Sequence, residues 1–115
     1  MNPSMQSMVV CEEATLAEGG YVLTHPGIEF ESNSIDVFCE IRELHQGVLL
    51  RALLLGPDGE RCDFSPEELV PQNIPYLQCA FVPGGSDLSA GPYRVQVLVD
   101  NIIIEERDVI LGAAA

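Results

Sequence analysis

The sequence predicts an all-β fold in which two antiparallel sheets pack face to face as a sandwich, and three observations carry that prediction. Tyr93, Val95, Val97 and Val99 recur with period two while Arg94, Gln96 and Asp100 fall between them, the pattern of a strand with one buried face. Asp100-Asn101 separates this run from Ile102-Ile103-Ile104, and Asp and Asn tolerate the positive φ angles that a two-residue hairpin turn requires. Along the whole chain, seven or eight short alternating or apolar runs recur about every ten residues, punctuated by Gly and Pro.

Each element has its own local reason. Met8-Val9-Val10-Cys11 is the first strand, and the small-residue stretch after Glu12-Glu13 leads to Gly19-Gly20. Tyr21-Val22-Leu23-Thr24 is the second strand, stopped by His25-Pro26-Gly27; Ile28-Glu29-Phe30-Glu31 alternates strictly and adds a further β piece. Ile35, Val37, Cys39 and Ile41 set the inward phase of a third strand. Val48 to Leu55 is the most apolar, with leucines on both faces and only Arg51 breaking it. Gly56-Pro57-Asp58-Gly59 is a turn that returns the chain into Glu60 to Phe64.

Ser65-Pro66-Glu67-Glu68 places a capping Ser, a Pro at the first helical position and a Glu at the third, which predicts one short helical turn near 65–70, ended by Pro71. Tyr76 to Val82 follows as a strand with Leu77, Cys79 and Phe81 inward, closed by Pro83-Gly84-Gly85. In the last strand the charged run Glu105-Glu106-Arg107-Asp108 predicts a bulge before Val109-Ile110-Leu111. The ends, 1–7 and 112–115, are expected to be loose.

With 115 residues the chain makes one domain, 1–115, and its 47% hydrophobic content is that of a folded protein. Eighteen acidic residues against five arginines, with no lysine, give a net charge of −13. Such a field repels phosphate backbones and anionic lipid, so neither nucleic acid nor a membrane surface is expected as a partner. Met1 to Ser7 has no cationic segment before an apolar run, and no apolar stretch approaches the ~20 residues of a membrane span. The expected location is the cytoplasm, or a virion if the chain is a particle component.

Chemistry-bearing constellations are sparse. Cys11, Cys39, Cys62 and Cys79 contain no Cys-x-x-Cys pair, which leaves free thiols as the expectation; Cys39 and Cys79 share the apolar phase of their strands and are the first disulfide candidates in an oxidising setting. His25 and His45 sit beside turn residues and read as solvent-facing. No Gly-x-Ser-x-Gly elbow is present, and the paired acids Glu12-Glu13, Glu67-Glu68 and Glu105-Glu106 would point to opposite faces of a strand, which makes poor acid–base dyads. Asp58-Gly59-Glu60 and Ser86-Asp87 lack the dense carboxylate string of a calcium loop. No catalytic residue, cofactor or metal ligand is assigned.

The feature that points to a role is apolar. On the phase opposite the core, Leu49, Leu53, Leu55, Leu98 and Ile103 would face outward, and if their strands share a sheet they form an interface for a protein partner or a second copy of the chain.

Leu88-x-x-Gly91-x-Tyr93 resembles the corner of immunoglobulin-like and fibronectin-type sandwiches, in which a Tyr opening a late strand bonds back to upstream backbone. Val9-Val10-Cys11-Glu12-Glu13-Ala14, Gly19-Gly20-Tyr21, Gly56-Pro57-Asp58-Gly59-Glu60 and Gly91-x-Tyr93-x-Val95-x-Val97-x-Val99-Asp100-Asn101 together resemble a family of small bacterial β-sandwich domains with no assigned function. The resemblance implies an immunoglobulin-like topology and no catalytic residue. It departs at Thr24-His25-Pro26-Gly27, where a strand ending is expected. The functional expectation is a non-enzymatic acidic interaction or assembly module. The alternatives are a structural decoration component of a capsid or tail, a ligand- or calcium-binding domain, and a minor hydrolase.

Overall fold

The alternating runs pair into two facing sheets and a separate hairpin. In the computed structural model of the chain the described residues are 2–31, 35–56, 58–59, 61–63, 68–81 and 89–112. They contain eleven strands: β1 (Ser4–Cys11), β2 (Glu13–Ala17), β3 (Gly20–Thr24), β4 (Glu29–Phe30), β5 (Asp36–Leu44), β6 (Leu49–Leu55), β7 (Arg61–Asp63), β8 (Glu68–Leu69), β9 (Ile74–Phe81), β10 (Gly91–Val99) and β11 (Ile102–Leu111). One sheet runs β1-β5-β9; the other runs β4-β11-β10-β6-β7, with β8 also on β6. The fold is an all-β sandwich.

Period two decides what lies between the sheets. Val37, Cys39 and Ile41 of β5 share one buried cluster with Leu50, Ala52 and Leu54 of β6 and Val95, Val97 and Val99 of β10. Burying each Val or Leu side chain contributes roughly 1.5–3 kcal/mol, so these central strands hold most of the hydrophobic stabilisation. At the end of the large sheet Tyr93 is also buried, and its hydroxyl donates to the Ser89 carbonyl oxygen at 2.6 Å. That is the tyrosine corner.

Several elements differ from the sequence reading. Glu13–Ala17, expected as a linker, is a strand that pairs with β3, and Ala14 N donates to the Asp36 carboxylate at 2.8 Å, fastening the hairpin to β5. Tyr21 of that hairpin tilts against Phe38, with ring centroids 5.2 Å apart, and covers the outer face of the small sheet. Residues 4–7, expected to be loose, belong to β1, whose Ser4 lies opposite Arg42. The expected helical turn falls partly on 64–67, outside the described residues; its continuation Glu68–Leu69 is extended and pairs with Leu49-Leu50. One pairing is parallel, β4 with β11.

The bulge in the last strand is also displaced. Leu98 lies opposite Ile103 and Val97 opposite Glu105, so the extra residue is Ile104, which packs on the core, and Glu105 to Asp108 pair regularly. The shift puts Glu105 and Arg107 on the inward phase, at the margin of the sandwich above β1, where a charge reaches the rim. Arg107 uses this position to donate to the Met8 carbonyl oxygen.

Candidate functional site

The outer face of the large sheet follows from the same register. Leu55 lies opposite Arg94, Leu53 opposite Gln96, Arg51 opposite Leu98, and Leu98 opposite Ile103 across β10. The five expected interface residues therefore do share one sheet, and Leu53, Leu55, Leu98 and Ile103 share its outer phase. They do not form one open patch. Leu53 and Leu98 are each only 6% exposed, Leu49 and Leu55 are half-buried, and Ile103 alone stands open at 47%. Arg51 interrupts the row between Leu49 and Leu53. The buried members contribute to holding this face together rather than to presenting it.

The open apolar surface lies at the other end of the face. A cleft of about 540 Å³ is lined by Ile28, Leu55, Pro92 and Ile110 together with Gly56 and Gly59 of the turn after β6. Pro92 stands opposite Ile110, and Ile110 N donates to the Ile28 carbonyl oxygen at 2.7 Å, which brings the segment before β4 alongside. Arg94 and Asp108 line the same cleft and form an ion pair at 2.9 Å, with their side chains 50% and 77% exposed. The adjacent carboxylate raises the Arg94 pKa. An exposed pair of this kind adds little stability, but it leaves both charges available at the cleft margin. Only Leu55 of the five expected residues reaches the cleft.

Ile110 carried a signal that the sequence reading passed over. It falls on the same phase as Glu106 and Asp108 and is an apolar residue on a polar face, as Leu98 is. Ile28 carried none, because it is placed by the parallel pairing of β4 with β11 and by the bond from Ile110 N, contacts with a strand remote in sequence.

The remaining candidates separate in space. His25 and His45 are both exposed, and His25 sits at φ 49°. Among the described residues no three His, Cys, Asp or Glu side chains gather where a metal ion would bind, and Glu60, Ser86 and Asp87 lie outside those residues. No described helix is long and apolar enough to cross a membrane. The cysteines are more informative: Cys39 and Cys79 stand directly opposite one another on β5 and β9, while Cys11 is buried and donates weakly to the Asp36 carbonyl oxygen.

A three-stranded sheet facing a larger one, with a tyrosine corner opening β10 and a parallel pairing of β4 with the last strand, β11, defines an immunoglobulin-like sandwich. The chain is similar to the crystal structure of an immunoglobulin-like protein from Pseudomonas aeruginosa, at 13% identity and a TM-score of 0.53, over 96% of this chain and 97% of that one. At this identity the likeness speaks for the fold. No family model matches the chain, and no curated protein does.

Proposed function

We propose that the chain is a non-enzymatic interaction module that takes an apolar side chain of a protein partner into the cleft between Ile28, Leu55, Pro92 and Ile110. The observation that carries the reading is the chemistry of that lining. Among the described residues its titratable side chains are Tyr93, engaged in the corner, and the mutually paired Arg94 and Asp108, so what they offer is shape and apolar surface rather than a nucleophile beside a base. The net charge of −13 adds a preference for a partner whose anchor is flanked by cations, which the field of the domain steers toward it.

Binding of fluorescent peptides with a central Leu or Phe flanked by Arg, followed by anisotropy, tests this reading. Binding that weakens as salt rises and that is lost in Ile110→Glu supports it. Equal binding of Glu-flanked peptides removes the charge preference, and binding indifferent to Ile110→Glu removes the site. Light scattering over a range of concentrations distinguishes the other occupant: a dimer abolished by Ile110→Glu would mean that the cleft receives a second copy of the chain instead.

A further inference from the structure

We propose that Cys39 and Cys79 form a thiol–disulfide site that closes on exposure to a small-molecule disulfide, tying edge strand β9 covalently to β5. The proposal rests on position. The two cysteines are register partners across an antiparallel pair, and both belong to the layer between the sheets. Directly opposed residues in such a pair have Cα atoms about 4.5 or 5.5 Å apart, according to whether the pair is hydrogen-bonded, and both values lie within the range a disulfide spans. Closure therefore needs side-chain rotation but no change of register.

The alternative partner is absent from the fold. In immunoglobulin-like domains the bridge that crosses the sandwich uses a Cys two residues after the corner tyrosine. Here that position is Val95, fully buried. Within its own sheet Cys39 is flanked by Met8 on β1 and by Cys79 on β9, so Cys79 is the thiol that the register sets beside it.

The two sulfurs are not equivalent. Cys39 is fully buried on the central strand, whereas Cys79 is half-buried on the strand at the margin of its sheet. The hydrogen bond between them raises the Cys39 pKa, together with burial, and lowers that of Cys79. Cys79 is thus both the accessible thiol and the one that ionises first, and thiolate is the attacking species. Its sulfur attacks one sulfur of glutathione disulfide, forming a mixed disulfide and releasing one glutathione thiolate. The Cys39 sulfur, losing its proton, then attacks Cys79 Sγ, forming the protein disulfide and releasing a second glutathione. Two protein thiols are oxidised and one glutathione disulfide is reduced to two thiols.

Incubating the folded chain in glutathione redox buffers, trapping free thiols and mapping peptides by mass spectrometry tests the site. The expected product is a monomer lighter by two hydrogens, with Cys39 and Cys79 in one linked peptide pair and a melting midpoint raised by roughly 10 °C, since the bridge closes a loop of about 40 residues. Cys39→Ser should hold one glutathione on Cys79, and Cys79→Ser should leave Cys39 unmodified; Cys39→Ala gives the same readout if the serine variant fails to fold. A wild-type chain that stops at the mixed disulfide, stays reduced throughout, or links Cys79 to Cys11 or Cys62 overturns the proposal.

Discussion

The Tyr93 hydroxyl donates to the Ser89 carbonyl oxygen at 2.6 Å, four residues upstream, from a side chain only 5% exposed. This single bond fixes the entry of β10 while the ring fills the end of the core, so its polar and apolar parts are separable. Tyr93→Phe keeps the ring and removes the donor, and should cost about 1 kcal/mol, seen as a lower urea midpoint with an unchanged slope. Tyr93→Ala empties the space as well and should cost about 3–5 kcal/mol. A Tyr93→Phe variant as stable as the wild type would show that the hydroxyl contributes nothing, and equal losses in the two variants would show that the ring adds nothing beyond it.

Asp36 holds the β2–β3 hairpin at one point, through the 2.8 Å bond from Ala14 N. Asp36→Ala removes that acceptor and should free the hairpin locally, increasing amide exchange and proteolysis within 13–24 while lowering global stability by about 1–2 kcal/mol. Asp36→Asn retains a carbonyl oxygen and should restore most of the protection. The Tyr21–Phe38 contact is the second attachment, so exchange that spreads into β5 would mean the hairpin and the sheet open as one unit.

The β10–β11 turn depends on two residues in left-handed backbone, Asp100 at φ 52° and Asn101 at φ 65°. Asp100 also exchanges two bonds with Leu49: its carboxylate accepts from Leu49 N and its own N–H donates to Leu49 O, each at 2.8 Å. Asn101→Val places a β-branched residue where φ is positive and should cost about 1–2 kcal/mol, whereas Asn101→Gly should be neutral or stabilising by about 0.5 kcal/mol. Thermal unfolding of both variants checks the order. A Val variant as stable as the wild type would mean that the Asp100 bonds alone hold the turn.

The parts of this fold that were legible in the sequence are those where one strand determines its own pattern. Val95 and Val97 alternate with Arg94 and Gln96 because one neighbouring layer is core and the other is solvent, and the corner at Tyr93 is a local chain reversal; neither needs knowledge of the partner strand. The hairpin strand β2 was hidden because Glu13-Ala14-Thr15-Leu16-Ala17 buries little and is held by Asp36, a residue 22 positions from Ala14. The bulge was misplaced because the charges of Glu105 and Arg107 suggested a break, when they fall on the inward phase at the rim and the irregularity at Ile104 puts them there. Leu53 and Leu98 were assigned to the right face, but burial on that face is a tertiary property that phase alone does not report.

Cys11 offers a pH test that reports on the junction between β1 and the hairpin. Burial, and then the neighbouring Asp36 charge, raise its thiol from an ordinary value of 9.0 to about 11. At pH 8 only about a thousandth of such a group is thiolate, so iodoacetamide should spare Cys11 in the folded chain while labelling Cys79, whereas in the unfolded chain both should be labelled alike. Between pH 9 and 11 the folded state holds a proton that the unfolded state has released. The stability linked to this thiol is therefore fully present below about pH 9 and is lost as pH rises toward 11. The difference between wild type and Cys11→Ala in urea midpoint should shrink across that window, and a difference that stays constant would place the Cys11 sulfur in a more solvated setting than the fold gives it.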